Sequence, residues 1–169
     1  TTKQLTKGNS NEILPSWSPD SKKIAYVTKT GEMDRTDNYD IYILDIDSID
    51  NPIQLTTNLG ADSSSSRPQW SPDGKRIAYL HGGDPALLWY ALQELAVIDV
   101  DTKIHSILTK ELDRNASSPQ WSHDGQNIYF VIEDNMKSQL AQYSLKDQKI
   151  KRITPPNYYI SGWSKNYVV

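Results

Sequence analysis

An all-β fold is predicted for this chain of 169 residues by its composition and by an internal repeat. Asp occurs 16 times and Glu only five times. Asp favours turns, where its short side chain can bond the local backbone, whereas Glu favours helices. The chain also has ten Tyr and five Trp, residue types that are enriched in strands. A segment that recurs about every 50 residues then indicates the architecture.

The recurring segment consists of a Trp, a turn and an apolar run. It reads Pro-Ser-Trp-Ser-Pro-Asp-Ser-Lys-Lys-Ile-Ala-Tyr-Val at residues 15–27 and recurs at residues 68–80 and 119–131, and a fourth copy begins at Gly162. Ser-Pro-Asp-Gly predicts a hairpin turn, because Pro fixes φ, Ser and Asp bond the backbone and Gly accepts a positive φ. The run at residues 77–80 has no polar alternation, which is typical of a strand buried on both faces.

Two further elements follow each copy of this segment. The first is a largely apolar strand, found at residues 41–47, 95–101 and 140–146. The second ends in an apolar residue followed by Thr, at Leu55-Thr56, Leu108-Thr109 and Ile153-Thr154. Each repeat therefore supplies four short strands. A four-stranded unit repeated at this spacing predicts the blade of a β-propeller.

The predicted fold is a partial β-propeller of three full blades with flanking strands of two more. The blades are expected at residues 11–57, 63–110 and 114–155. Residues 1–6 are expected to form the outer strand of a preceding blade, and residues 158–169 the start of a further one. Because closed rings have about four to eight blades, this arrangement predicts a single partial propeller that is part of a larger ring.

One Trp precedes each turn, and these residues are predicted to pack between neighbouring blades. They are Trp17, Trp70 and Trp121. Burying a Trp side chain removes about 150–250 Å² from water, which at about 25 cal/mol per Å² gives an upper bound of about 4–6 kcal/mol. We therefore interpret all three residues as structural rather than as ligand contacts.

The repeats Trp-Ser-Pro-Asp-Gly-Lys-Arg-Ile-Ala-Tyr, Ile-Tyr-Ile-Leu-Asp and Gln-Leu-Thr resemble those of TolB-type β-propellers. Such repeats occur in periplasmic TolB and in the N-terminal propeller of prolyl-oligopeptidase-family serine peptidases, which include dipeptidyl aminopeptidases and acylaminoacyl-peptidases. The connections at residues 37–42, 55–62, 82–92 and 112–119 are similar to those of bacterial peptidases of this family. TolB repeats are usually more compact.

The resemblance implies a function without chemistry of its own. In such peptidases the propeller covers a separate C-terminal α/β-hydrolase domain, limits access to short or unfolded peptides and helps to hold the substrate. The implied partners are therefore that domain and a peptide substrate, and the family favours a periplasmic or secreted location. The alternative is a TolB-like module for protein–protein interaction at the cell envelope. A third class, a sugar-acting propeller lyase, would need a metal-binding cluster of His and other ligands.

The sequence supplies no motif for catalysis, so no hydrolase activity and no cofactor are expected of this chain. The nucleophile elbow Gly-x-Ser-x-Gly does not occur. Its nearest approach, at residues 162–166, fails at the last position, and Ser164 aligns with the repeat Ser of the other blades. His81, His105 and His123 fall in different strands or turns, which predicts neither a metal site nor a general base. Because Cys is absent, disulfides and thiolate zinc sites are excluded.

Net charge and the insertions complete the functional expectations. Lys and Arg total 18 against 21 Asp and Glu, which argues against a nucleic-acid partner. No apolar run approaches the roughly 20 residues that span a bilayer, so no membrane insertion is expected. Candidate substrate or partner contacts are Trp89 and Tyr90 in the second-blade insertion at residues 84–92, and Arg35 and Asp37 in the first-blade insertion.

Overall fold

The computed structural model describes residues 2–7, 10–30, 38–58, 60–84, 87, 90–134, 136–155 and 158–160. These residues form three antiparallel sheets of four strands, which we call blades 1, 2 and 3 in chain order. Blade 1 contains β1 (Glu12–Trp17), β2 (Lys23–Lys29), β3 (Tyr39–Asp45) and β4 (Ser48–Gln54). Blade 2 contains β5 (Gln69–Trp70), β6 (Arg76–Gly82), β7 (Gln93–Asp99) and β8 (His105–Ile107). Blade 3 contains β9 (Ala116–Trp121), β10 (Asn127–Asp134), β11 (Lys137–Ser144) and β12 (Lys149–Arg152).

Every blade is a meander in which strands that follow each other in the chain are hydrogen-bonded neighbours. The predicted all-β fold of four-stranded propeller blades is therefore confirmed. Residues 2–7 and 158–160 form no strand in the structure, and residues 161–169 lie outside the described residues. The assignment of residues 1–6 and 158–169 to neighbouring blades stays a prediction.

A Ser-x-Asp pair closes the turn between the first and second strands of each blade. In blade 2 the Ser71 hydroxyl donates to Asp73 Oδ1 at 2.5 Å and accepts the backbone N–H of Arg76 at 2.9 Å. The hydrogen bond from Ser71 is the main cause that lowers the pKa of Asp73. Gly74 follows with a φ of +70°, the left-handed conformation expected of Gly in this turn. The same hydroxyl-to-carboxylate bond joins Ser18 to Asp20 and Ser122 to Asp124.

The Thr that follows the fourth strand of each blade accepts a hydrogen bond from the backbone of the third strand. In blade 1 the Thr56 hydroxyl accepts the backbone N–H of Ile41 at 2.9 Å and donates to Asp40 Oδ1 at 3.1 Å. Leu55 N–H donates to the carbonyl of Ile41 at 2.8 Å. Equivalent bonds from strand backbone to Thr hydroxyl join Leu95 to Thr109 and Leu140 to Thr154. The recurrent pair of an apolar residue and Thr therefore satisfies backbone N–H groups of the third strand where the fourth strand ends.

The core consists of two apolar layers between successive blades. On β6, Ile77 and Tyr79 belong to the layer shared with blade 1, whereas Ala78 and Leu80 belong to the layer shared with blade 3. Alternate side chains of a strand point to opposite faces of the sheet. The continuous apolar run is thus explained, because blade 2 lies between two other sheets and all four side chains are fully buried.

Two of the three repeat Trp residues also bond the preceding blade. Trp70 Nε1–H donates to the carbonyl of Ser16 at 3.2 Å, and Trp121 Nε1–H donates to the carbonyl of Gln69 at 2.9 Å. Their exposed fractions are 9% and 2%. The guanidinium of Arg76 lies 4.9 Å from the Trp121 ring centroid, within cation–π range. The predicted packing of Trp between blades is confirmed at these two positions.

The prediction is wrong for Trp17, whose side chain is 57% exposed. Trp70 and Trp121 are covered by the blade that comes before their own. Trp17 belongs to blade 1, and the described residues supply no blade on that side of it. The repeat position alone does not bury the ring, because burial requires a neighbouring sheet.

We expect Trp70→Ala to lower the free energy of unfolding by about 3–5 kcal/mol, as a large-to-small change in a core. Trp17→Ala is the matched control, since it removes the same side chain from the same repeat position. Because Trp17 is exposed, its loss is expected to cost less than about 1 kcal/mol. Urea denaturation of both variants measures this difference. Equal losses for the two variants would contradict the role given to the blade interface.

We expect Thr56→Val to cost about 2–3 kcal/mol, because it leaves the N–H of Ile41 and an oxygen of Asp40 buried without this partner. Thr57→Val is the control. It makes the same chemical change at the next residue, where the side chain is exposed, and should change stability by less than about 0.5 kcal/mol. Chemical denaturation of the two variants measures the effect, and a neutral Thr56→Val would show that the hydroxyl is dispensable.

Candidate functional site

The strand connections divide the molecule into two ends. In each meander, the connections between the first and second strands and between the third and fourth lie at one end, which we call the turn end. The connections between the second and third strands, and the linkers between blades, lie at the other, which we call the loop end. Equivalent turns adjoin across blades, since a methyl group added at Gly74 would lie 3.7 Å from Cδ of Pro19. The blades therefore share one orientation.

Exposed apolar side chains concentrate at the loop end. Among the described residues, the large apolar side chains that are exposed there are Leu87, Tyr90, Met136, Tyr158 and Tyr159. The turn end exposes Ile104 alone of this kind, and the two others, Trp17 and Ile53, lie on strands. The turn end is built instead from Ser-x-Asp turns that satisfy their own polar groups. The loop end is therefore the better candidate for contact with another molecule.

Tyr90 is the one sequence-predicted contact residue that the structure describes. It lies in the insertion between β6 and β7 and is 87% exposed. Trp89, Arg35 and Asp37 lie outside the described residues, so their role as contacts stays a prediction.

The end of β6, just before the insertion, contacts the linker between blades 1 and 2, backbone to backbone. A methyl group added at Gly82 would lie 2.2 Å from the backbone nitrogen of Ala61, which is far closer than van der Waals contact. Gly60 takes a φ of +134°, and an added methyl there would lie 2.6 Å from the carbonyl oxygen of Gly82. Only residues without a side chain allow this approach. The insertion therefore begins from a closely packed base.

Asp62 lies at the centre of that base. Its side chain is fully buried, and its Oδ1 accepts the backbone N–H of Gly82 at 2.9 Å and the Nδ2–H of Asn58 at 3.2 Å. His81 Nδ1 lies 3.3 Å from the same oxygen. Asp62 Oδ2 is buried without a hydrogen-bond partner. One carboxylate thus connects the linker to the last two residues of β6, which lead into the insertion.

His81 is the titratable group of this cluster. Its hydrogen bond to Asp62 is the main cause that raises the pKa of the ring, and burial opposes that shift. The ring of His105 stands edge-on to it with 6.1 Å between centroids, and His105 Nδ1 lies 3.1 Å from the hydroxyl of Tyr79. Sequence analysis treated the three His residues as scattered. The structure brings His81 and His105 together and leaves His123 in a turn of blade 3.

A second buried carboxylate, Asp40, lies at the start of β3. Its Oδ2 accepts Thr30 Oγ1–H at 2.6 Å and the side-chain amides of Asn38 and Gln54, each at 3.2 Å. Burial is the main cause that raises the pKa of Asp40, and the hydrogen bonds from Thr30, Thr56 and Gln54 act against it. Sequence analysis missed both Asp40 and Asp62. Asp is common in this chain, and nothing in their spacing separates two buried carboxylates from the many in turns.

Blade 3 carries an ion-pair group at the same end. Asp134 Oδ2 lies 2.8 Å from Arg152 Nη2, and Asp134 Oδ1 lies 3.3 Å from Arg114 Nε. The hydrogen bond from Arg152 is the main cause that lowers the pKa of Asp134. Both Arg side chains are partly exposed, so these contacts contribute little to stability.

The loop end combines exposed apolar side chains with a closely packed backbone. Among the described residues, no three His, Asp or Glu side chains are placed to share a metal ion. The same residues include no helix long and apolar enough to cross a membrane. Fixed backbone at the base of the insertion and exposed apolar side chains around it are features of a contact surface.

Comparison with known proteins gives the family. The sequence pattern described as the TolB beta propeller domain matches residues 1–166. Dipeptidyl-peptidase 5 of Porphyromonas gingivalis is 33% identical over 160 residues, which cover 88% of this chain and 22% of that protein. The chain thus spans about a fifth of the length of this curated relative.

Solved structures share the fold. TolB from Acinetobacter baumannii has a TM-score of 0.67 and 24% identity over 92% of this chain and 35% of that one. Acylaminoacyl peptidase from Pyrococcus horikoshii has a TM-score of 0.61 and 16% identity over 89% of this chain and 26% of that one. Both are similar in architecture, and the pattern match covers nearly all of the sequence. The chain belongs to the TolB β-propeller domain family.

Proposed function

We propose that this chain is the propeller region of a prolyl-oligopeptidase-like serine peptidase, in which it binds peptide substrates and controls their access to a hydrolase domain. The observation that carries the proposal is the concentration of exposed apolar side chains at the loop end. The similarity to dipeptidyl-peptidase 5 supplies the class of protein. A periplasmic or secreted location is part of the same proposal.

Energetics favour a partner at that end. Fully burying one large apolar side chain contributes about 1.5–3 kcal/mol, so residues such as Leu87, Tyr90 and Met136 supply enough apolar surface for a specific contact. Tyr adds a hydroxyl that can bond a peptide backbone, which is why it is enriched at interfaces. The chain has no Gly-x-Ser-x-Gly sequence, so in this proposal peptide cleavage belongs to the hydrolase domain.

The packed base of the insertion supports the same role. Gly82 is held by Asp62 and by backbone contact with Ala61. An insertion that starts from a fixed point loses less conformational freedom when it binds. The insertion is thus suited to present Tyr90 to a peptide or to the hydrolase domain.

The reading frame that encodes the chain distinguishes this proposal from its alternative. A peptidase requires a Gly-x-Ser-x-Gly elbow downstream, followed by the Asp and His of a triad. A TolB-like protein-interaction module would instead have an α/β domain upstream and no hydrolase. Sequencing the complete frame gives one result or the other, and the second would overturn the proposal.

In the full-length protein, we expect Tyr90→Ala to lower kcat/KM for peptide substrates by about tenfold, the size of a typical interface contact. Ile104→Ala is the matched control, because it removes an exposed apolar side chain from the turn end. It should leave kcat/KM within about twofold. Steady-state kinetics with dipeptide-derived and longer peptides measures both. Equal effects of the two variants would remove the loop end from substrate binding.

A further inference from the structure

We propose that the proton on His81 decides whether this ring is held by Asn58 or by Asp62, and that this choice adjusts the base of the insertion at residues 84–92. The inference goes beyond substrate binding, since it concerns a proton-dependent device within the chain itself. Its test requires neither a hydrolase domain nor a substrate.

The geometry at Nδ1 of His81 makes the two contacts mutually exclusive. Asn58 Nδ2 lies 3.2 Å from this nitrogen, and Asp62 Oδ1 lies 3.3 Å from it. The amide nitrogen is a donor, so it bonds Nδ1 only when that atom carries a lone pair, in the neutral ring. The carboxylate is an acceptor, so it bonds Nδ1 only when that atom carries a proton. In the neutral ring that carries its proton on Nε2, adding a second proton at Nδ1 therefore exchanges Asn58 for Asp62.

Asp62 has the capacity to take the additional donor. Its Oδ1 already accepts the N–H of Gly82 and the amide of Asn58, while its Oδ2 is buried without a partner. A buried carboxylate oxygen without a donor costs free energy. A protonated His81 supplies a donor 3.3 Å from Oδ1 and a positive charge beside the carboxylate as a whole. The site is thus arranged to accept the cation rather than to exclude it.

The other charged groups around the ring act in both directions. Glu94 lies opposite His81 on β7 and favours the cation. His105 on β8 faces the ring edge-on and would disfavour it if both were protonated. The hydrogen bond to Asp62 outweighs burial and raises the pKa of His81 above its usual value near 6.5. The exchange of partners is therefore expected at a pH above 6.5, the usual pKa of a His side chain.

Gly82 transmits the exchange to the insertion. It follows His81 in the chain, its N–H is bonded to Asp62, and its α-carbon touches the linker too closely for any side chain. A carboxylate that turns toward His81 changes its hydrogen bond to Gly82 at the same time. The close contact with Ala61 leaves this backbone little freedom to absorb the change. The backbone at Gly82, from which the chain continues into the insertion, must then adjust.

The test is an NMR titration of the full 169-residue chain between about pH 5 and 9, which spans the usual range of His. We expect the amide resonances of Gly82, Leu87 and Tyr90 to titrate with the same midpoint as the His81 ring. The amide of Met136, in the equivalent connection of blade 3, is the internal control and should not follow it. If Gly82 shows no titration at the His81 midpoint, the proposal is wrong.

Two variants test the partners in opposite directions. Asn58→Ala removes the donor to the neutral ring and is expected to increase the proton affinity of His81 about three- to tenfold. Asp62→Asn removes the acceptor for the cation and should decrease it by at least as much. His123→Gln, in the turn of blade 3, is the matched control and should leave the His81 midpoint unchanged. Should Asp62→Asn fail to fold, Asn58→Ala still decides, because an unchanged or lowered affinity overturns the inference.

Discussion

Both faces of blade 2 are apolar, and the rest of the structure depends on covering them. Blade 1 covers one face of blade 2, and blade 3 covers the other. Trp70 and Trp121 each add a hydrogen bond to the preceding blade, which fixes the register of neighbouring sheets as well as their contact. Burial supplies most of the free energy, and the indole N–H supplies the alignment. Trp17 shows that burial of this Trp depends on a neighbouring blade, because its side chain is exposed where no described blade covers it.

Because the sheets are stacked in one orientation, the regular turns lie at one end of the molecule and the variable loops lie at the other. At the turn end, the Ser-x-Asp pairs satisfy donors and acceptors within their own turns. The loop end receives the insertions and the linkers, whose lengths differ between blades. Changes there leave the apolar layers intact. A scaffold of repeated sheets can therefore carry a contact surface on one end without loss of packing.

The sequence predicted the parts of the molecule that repeat. Three copies of the Trp-turn-strand segment specified the blades, and the apolar run at residues 77–80 indicated burial on both faces, because these signals depend on local spacing. Local spacing could not predict the cluster of Asn58, Asp62, His81 and His105. Its members come from a linker and two non-adjacent strands, and their contacts depend on register and on a glycine approach that no single segment encodes. Tyr90 was selected because an aromatic residue on a propeller insertion can face the central channel or a partner domain, and its role as a contact stays a prediction.

The interface between blades 1 and 2 is apolar at its centre and polar at its loop end. Its centre is an apolar layer that responds little to pH. Its loop end contains two buried carboxylates, Asp40 and Asp62, whose oxygens are held mainly by side-chain and backbone donors of the same region. Polar groups in such surroundings interact strongly and tolerate little rearrangement. A change in charge at these carboxylates is therefore expected to affect the linker and the base of the insertion. The apolar layer keeps the blades together.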